Sequence, residues 1–258
     1  MKISLIFLIV IILGLLWILL KFYHKIKKFY YRVLFKGYPK PWPIKEVSAA
    51  DIYPFLNKKS LLDRELYLFN DDFGTSDIER CILSLWAKFS ENIFEFGTYT
   101  GGTTYLLAKN NPEHGKIVTL TLHPDQVSQI GTTSKDNAED IKTAVGESDN
   151  TTFMYEGTTI EHKITQLFCD SKQFNCSPYT EQFDLIFIDG AHAYSYVMSD
   201  TEKALQMLRP GGVVFWHDYR GPSRAKGVFL ALNELAKKLP LLHIKGTALV
   251  FHQKPLAQ

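Results

Sequence analysis

Apolar residues follow three rhythms along the chain. From Ile3 to Leu20 they form one uncharged run, broken in its apolarity only by Ser4 and Gly14. As a helix this run spans roughly 27 Å at about 1.5 Å per residue, enough to cross a bilayer. A cleaved leader has a shorter apolar core and a small-residue cleavage site. Leu15-Leu16-Trp17-Ile18-Leu19-Leu20 followed by Lys21 offers neither, which predicts an uncleaved anchor over residues 1–22. The second rhythm is helical: Ser76-Asp77-Ile78-Glu79 matches a capping box, and Ile78, Ile82, Leu85 and Phe89 recur at helical spacing. The third alternates short apolar runs with amphipathic stretches. Strands are expected at Ile93 to Phe96, Ile117 to Leu122, Ile164 to Phe168, Phe183 to Ile188 and Val213 to Trp216, then as a hairpin of Leu242 to Lys245 and Ala248 to His252 around Gly246-Thr247. Between them fall helices at Tyr105 to Lys109, around Ala138 to Ala144, over Val197, Thr201, Ala204 and Leu208, and from Lys226 to Leu239. This alternation predicts an α/β fold, a doubly wound Rossmann-like sheet of seven mostly parallel strands behind an N-terminal transmembrane helix.

Charge gives the anchor a direction. From Lys21 to Lys45 there are eight Lys or Arg and no acid, against Lys2 and the amino terminus on the other side. By the positive-inside rule the C-terminal flank, and with it the folded domain, is expected in the cytoplasm as part of a single-pass membrane protein. Phe22, Tyr23, Phe29, Tyr30, Tyr31, Phe35 and Tyr38 interleave with these bases and suit a segment lying along headgroups, the alternative being a solvated basic linker. Pro39, Pro41 and Pro43 around Trp42 make an extended connector, so residues 23–69 are expected as juxtamembrane segment and linker and residues 70–258 as the domain.

Removing Lys2 and the eight flanking bases from the chain's 29 leaves 20 basic against 27 acidic residues, a net charge of −7 beyond the flank. That balance argues against a nucleic-acid surface. Cys81, Cys169 and Cys176 form no C-x-x-C pair and cannot all be bridged, as expected in a reducing compartment.

The chemistry gathers at the ends of the predicted strands. Glu95-Phe96-Gly97-Thr98-Tyr99-Thr100-Gly101-Gly102-Thr103-Thr104 writes strand, tight turn and helix start in consecutive residues, with Thr103-Thr104 able to cap the helix. Such a turn lies at the carboxyl end of the strands, where ligands bind in doubly wound sheets. No G-x-G-x-x-G, phosphate loop, nucleophile elbow or H-E-x-x-H occurs. Phe183 to Ile188 is a buried parallel strand by composition, delivering Asp189-Gly190-Ala191-His192 to the sheet edge, and Val213 to Trp216 delivers His217-Asp218-Tyr219. Gln126 to Thr152 is polar and is expected to form, beyond its short helix, a mobile loop over the site or an ordinary surface excursion.

The E-x-G-x-x-x-G-G-T-T turn, the Phe183 to Tyr219 strand-helix-strand unit and its Leu208-x-Pro210-Gly211-Gly212 turn resemble class I S-adenosylmethionine-dependent methyltransferases, in particular the small metal-dependent O-methyltransferases related to catechol O-methyltransferase. The resemblance implies cofactor contacts at Glu95, Gly97, Thr98, Gly101, Gly102, Thr103 and Asp189, with Asp170 taking the adenine amino group. It places Thr121 where the family carries an acid for the ribose hydroxyls. Either Asp125 substitutes from the loop or cofactor affinity is reduced. It further implies a divalent ion at Asp189, His217 and Asp218, with His192 where some sugar-modifying relatives carry a base and Asp189 beside it in catalysis. His217 stands where an acid is usual, which leaves Mg, Mn, Fe or Zn open. Without an ion, these acids would only cap loops or hold the cofactor. The function implied is methylation of an oxygen on a small-molecule, sugar or lipid-linked acceptor at the membrane. The alternatives are a metal-dependent hydrolase or hydroxylase on the same fold and a non-catalytic, membrane-tethered cofactor-binding protein.

Overall fold

The computed structural model describes residues 5–34, 44–52, 65–68 and 75–256. Helix α1 (Leu5–Leu34) takes in the apolar run and the basic flank as one continuous element. Its described side chains from Val10 to Leu20 are exposed wherever they are large and apolar, Leu19 by 67%. The expected membrane-crossing segment is not met: among the described residues no helix is long and apolar enough to cross a membrane. Ile3 and Ser4 fall outside the described residues, and so does the proline connector around Trp42.

Among the described residues the domain is a single sheet of eight strands, one more than the sequence pattern predicts. They are β1 (Lys45–Val47), β2 (Asn92–Phe96), β3 (Lys116–Thr121), β4 (Ile164–Phe168), β5 (Phe183–Ile188), β6 (Leu208–Trp216), β7 (Leu242–Ile244) and β8 (Val250–Gln253). Their order is β1-β7-β8-β6-β5-β2-β3-β4. Only β8 runs antiparallel to its neighbours. The additional strand comes from the stretch expected to be linker. Lys45–Val47 pairs in parallel with β7, and the flanking Ile44 and Ile52, the latter in the helical turn α2 (Ala49–Ile52), are 2% and 0% exposed. A three-residue edge strand carrying Lys45 and Glu46 is too short and too charged to read from periodicity.

The pleat divides the core. Ile93, Leu185, Phe187, Val213 and Phe215 face α3 (Asp77–Lys88) and α4 (Gly102–Asn110). Phe94, Phe96, Ile186, Ile188, Val214 and Trp216 face α6 (Tyr194–Met207) and α7 (Lys226–Leu235) on the other side. All six residues of β5 are buried; each of the five apolar side chains withdrawn from water is worth about 1.5–3 kcal/mol, and the Asp184 carboxylate is paired with Arg209 and accepts from the Glu91 and Asn92 amides. The capping box of α3 forms, with Ser76 accepting from the Glu79 amide and Glu79 accepting from the Ser76 amide. Ile78 is turned outward at 51% exposure, so only Ile82 and Leu85 of the expected stripe are buried. The polar stretch after β3 holds α5 (Ala138–Glu147), capped by Asn137 and three residues longer than its pattern suggests.

The chain runs outward from β2 through β3 to β4, then crosses back to place β5 on the other side of β2. That reversal opens a crevice beyond the carboxyl ends of β2 and β5.

Candidate active site

Two backbone hydrogen bonds bring the strand ends together. The Gly97 amide donates to Leu120 O at the end of β3, and the Asp189 amide donates to Phe96 O, both at 2.8 Å. Gly97 has φ +97°, and a Cβ there would lie 2.2 Å from Asp189 O and 2.7 Å from Gly190 Cα. The sequence requires this glycine because two strand ends touch, before any ligand is considered. Tyr99 follows with φ 48°, then Gly101 with φ 79° as the N-cap of α4. No side chain caps that helix, in contrast to the expected role of Thr103-Thr104. Thr104 points inward and donates to Glu95, leaving the first amides of α4 directed toward the crevice.

Glu95 is therefore not a crevice residue. It shares a sheet face with Ile93, is fully buried, and its Oε2 accepts from Thr104 and, at 2.7 Å, from the Thr119 hydroxyl. Burial pushes its carboxyl up to about 8, against the lowering effect of those two bonds, so it is neutral at pH 7. Thr119 also bonds Thr98 at 2.8 Å, and the four groups lock β2, β3 and α4 beneath the turn.

Two cavities open from this framework. The first is lined by Gly97, Thr121, Asp170, Asp189, Tyr196 and Asp200 among apolar walls that include Phe96, Leu120 and, from α5, Ile141 and Ala144. Asp170 accepts from the Lys172 amide at 3.0 Å and from the Tyr196 hydroxyl at 3.3 Å. Asp200, one helical turn after Tyr196, is pushed up by burial to about 7. The carboxylate of Asp125 does not reach this cavity: its side chain is 89% exposed and pairs at 3.4 Å with His123. Thr121 is thus left as the residue at the end of β3.

The second cavity is polar, lined by Thr98, Thr100, Gly102, Thr103, His192 and Arg220 together with Asp189, His217 and Asp218. The two cavities share Gly97, Tyr99, Glu147 and Asp189. His192 Nε2 donates to Asp218 Oδ2 at 2.7 Å. Burial lowers the imidazole's affinity for a proton, but the bond and charge of Asp218 outweigh it and raise His192 to about 9. Asp218 is also buried, yet the two histidines hold its carboxyl well below the usual range. Its backbone is left-handed, φ 59°, which a non-glycine residue adopts at a cost.

His217 is placed differently from the sequence expectation. Its ring is buried, with Nδ1 2.9 Å from Asp189 Oδ1 and 3.4 Å from Asp218 Oδ2. The atoms that can converge on one ion belong to Asp189, His192 and Asp218, all within 4.8 Å of one another. His192 thus replaces His217 in the expected ligand set, and His217 stands behind it. Two carboxylates and one imidazole at that spacing fit a divalent ion, provided His192 releases its proton to it.

Glu147 is the residue that sequence reasoning missed. It ends α5, and burial pushes its carboxyl up to about 7 against the lowering effect of His192. The spacing of Ile141, Ala144 and Glu147 places them on one helix face, and all three line the first cavity. An i, i+4 step likewise puts Tyr196 and Asp200 on one face of α6.

A family model described as a methyltransferase domain matches residues 94–219, from the middle of β2 to the residue after Asp218. None of the curated proteins compared with the chain matches it. Among solved structures, the SAH-bound methyltransferase PaMTH1 of Podospora anserina aligns at 15% identity over 71% of this chain and 80% of its own, with a TM-score of 0.51. The O-methyltransferase TomG of Streptomyces achromogenes, in complex with SAM, aligns at 18% identity over 89% of this chain and 96% of its own, with a TM-score of 0.46. The matched stretch contains both turns and both strand ends that build the crevice, so it is over this part that the chain resembles a methyltransferase domain.

Proposed function

We propose that the chain transfers the methyl group of S-adenosylmethionine to a hydroxyl oxygen of a small polar acceptor, at a membrane surface to which α1 attaches it. The observation that carries this reading is the junction of the two cavities at Gly97, Tyr99, Glu147 and Asp189. A molecule filling the first cavity presents one end to a molecule in the second. The first cavity suits a nucleoside, with Asp170 for the adenine amino group and Thr121 for the ribose. The bound cofactor supplies an activated methyl on a sulfonium, so the share left to the protein is placement.

The second cavity, rich in hydroxyl and charged groups, suits a hydroxylated acceptor. Asp189, His192 and Asp218 would hold Mg, Mn, Fe or Zn, whose contribution is to lower the pKa of the acceptor hydroxyl. Without an ion His192 holds its proton toward Asp218; as a ligand it would release that proton and present a neutral imidazole to the ion. Glu147, raised to about 7, is the group able to take a proton there. Helix α5 covers the first cavity with Ile141 and Ala144 and keeps water from the junction.

Attachment to a membrane is supported by the exposed apolar side chains from Val10 to Leu20 and by Phe22 and Tyr23 beside the exposed Lys21 and Lys25. The acceptor is then small or lipid-linked, and the domain faces the cytoplasm. The chemistry is tested by incubating the full chain with methyl-labelled S-adenosylmethionine and a panel of catechols, sugars and lipid-linked sugars, with and without a chelator. Label on an acceptor oxygen is expected. Calorimetric binding of S-adenosylmethionine with no labelled product from any hydroxylated acceptor would sink the O-methylation reading.

A further inference from the structure

Glu79 lies outside the matched residues 94–219 and sits in the first turn of α3. Its carboxylate is 2% exposed and joins three separate parts of the domain. Oε2 accepts from the Ser76 amide at 2.6 Å, and Oε1 accepts from the Ala248 amide at 2.5 Å in the turn between β7 and β8. The first contact completes the helix cap and the second ties α3 to the β7–β8 turn. They do not explain why Oε2 also stands 3.6 Å from His217 Nε2, whose opposite nitrogen Nδ1 is 2.9 Å from Asp189 Oδ1. The His217 ring is 5% exposed and lies 6.1 Å from the Phe187 ring, centre to centre.

An imidazole in such a slot has two orientations, related by a half-turn about its last side-chain torsion. One presents Nδ1 to Asp189; the other presents a carbon and leaves that carboxylate an acceptor without a donor. An acceptor fixed near Nε2 favours the first. We propose that Glu79 is a positioning residue of the active site: through His217 it sets where the Asp189 carboxylate points. Asp189 is the group on which both cavities converge, so a residue of α3 controls the junction from behind. Partners behind a metal-ligating or reacting group act in this way, and losing one costs typically 10- to 100-fold in affinity. The inference rests on the reading of the two cavities as cofactor and acceptor sites.

The test uses the full chain, 15N-labelled at histidine, with Glu79→Gln, Glu79→Asp, Ser76→Ala and His217→Asn. Three quantities are followed: the ring nitrogen signals of His217, the affinity for S-adenosylhomocysteine, and the affinity for Mn2+ alone. Glu79→Gln is expected to shift both His217 ring signals and to weaken Mn2+ binding roughly tenfold or more, with no further loss when added to His217→Asn. Ser76→Ala, which removes only the cap, is expected to lower the melting temperature and leave the ring signals and both affinities in place. Unmoved His217 signals in folded Glu79→Gln, or equal effects of Glu79→Gln and Ser76→Ala, would overturn the proposal. Should Glu79→Gln not fold, Glu79→Asp keeps a carboxylate one methylene shorter and is held to the same outcomes. A wild-type chain that binds S-adenosylhomocysteine but no Mn2+ removes the ion from the site. The positioning role then stands or falls on the ring signals and the cofactor affinity, which Asp189 also touches.

Discussion

At single residues, the crevice is built from exceptions to ordinary backbone and side-chain behaviour, and each exception has a measurable consequence. Gly97→Ala would drive a methyl group into the Asp189 carbonyl, a backbone atom that cannot swing aside. A fall in melting temperature or loss of folded protein is expected, and a wild-type melt would contradict the contact. Glu95 gives a pH signature. Its carboxyl is raised from 4.5 to about 8 in the fold, so the folded state binds a proton that the unfolded state releases. The stability it contributes is complete below pH 4.5 and lost as pH rises toward 8. Glu95→Gln, which keeps the shape and cannot ionise, should flatten the decline in denaturation midpoint across that window; an unchanged slope would show that Glu95 is not protonated there. Thr121→Asp places a charged acceptor at the end of β3 and should tighten S-adenosylmethionine binding by about 1 kcal/mol, read by calorimetry. What was legible at this scale was residue type at strand ends: Gly97, Asp170, Asp189, His192 and Asp218 all reach the crevice. What was not legible was direction. Glu95 carries a suitable group but points into the interior by pleat alternation, and His217 meets the second cavity only from a buried slot.

At the scale of elements, α5 and the segment before it behave as a cover with its own fastening. Asp136 accepts from the Ser195 amide at 2.8 Å and its hydroxyl at 2.7 Å, and Lys172 bonds Ser195 and Gly131. The segment that leads from Ile130 into α5 is thus tied to the start of α6. Asp136→Ala should raise the dissociation rate of S-adenosylhomocysteine several-fold for each roughly 1 kcal/mol of fastening lost, measured by stopped flow; an unaltered rate would mean that release does not pass through this contact. Most strands and helices of the domain were readable from periodicity because long apolar runs decide them locally, but Leu208 to Gly212, expected as helix end and turn, instead open β6. The cover was read only as a polar stretch with a short helix. Its role depends on contacts 59 residues away along the chain, between Asp136 and Ser195, which no window of sequence contains.

At the scale of the whole molecule, the described sheet domain takes in Ile44, β1 and Ile52 ahead of the expected start at residue 70. A chain started at residue 65 would lack Ile44, Ile52 and β1, expose the edge of β7, and should lose about 3 kcal/mol or more from the two buried isoleucines alone, or associate through that edge. A chain started at residue 44 should melt as the full chain does. Both melts are direct measurements, and equal stability of the two truncations would remove β1 from the fold. Vesicle binding checks the proposed attachment: residues 1–258 should float with anionic vesicles and a chain started at residue 44 should not. The early start of the sheet has a consequence for kinetics. Between Leu34, where α1 ends, and Ile44, where the described sheet domain begins, lie only residues 35–43. At no more than about 3.6 Å per residue these can reach at most about 36 Å. With α1 lying on a membrane surface as proposed, the junction of Asp189 and Glu147 would stay close beside that surface. An acceptor confined to that surface would be met by a two-dimensional search, and one free in solution would be met only where it strays into the radius of this leash.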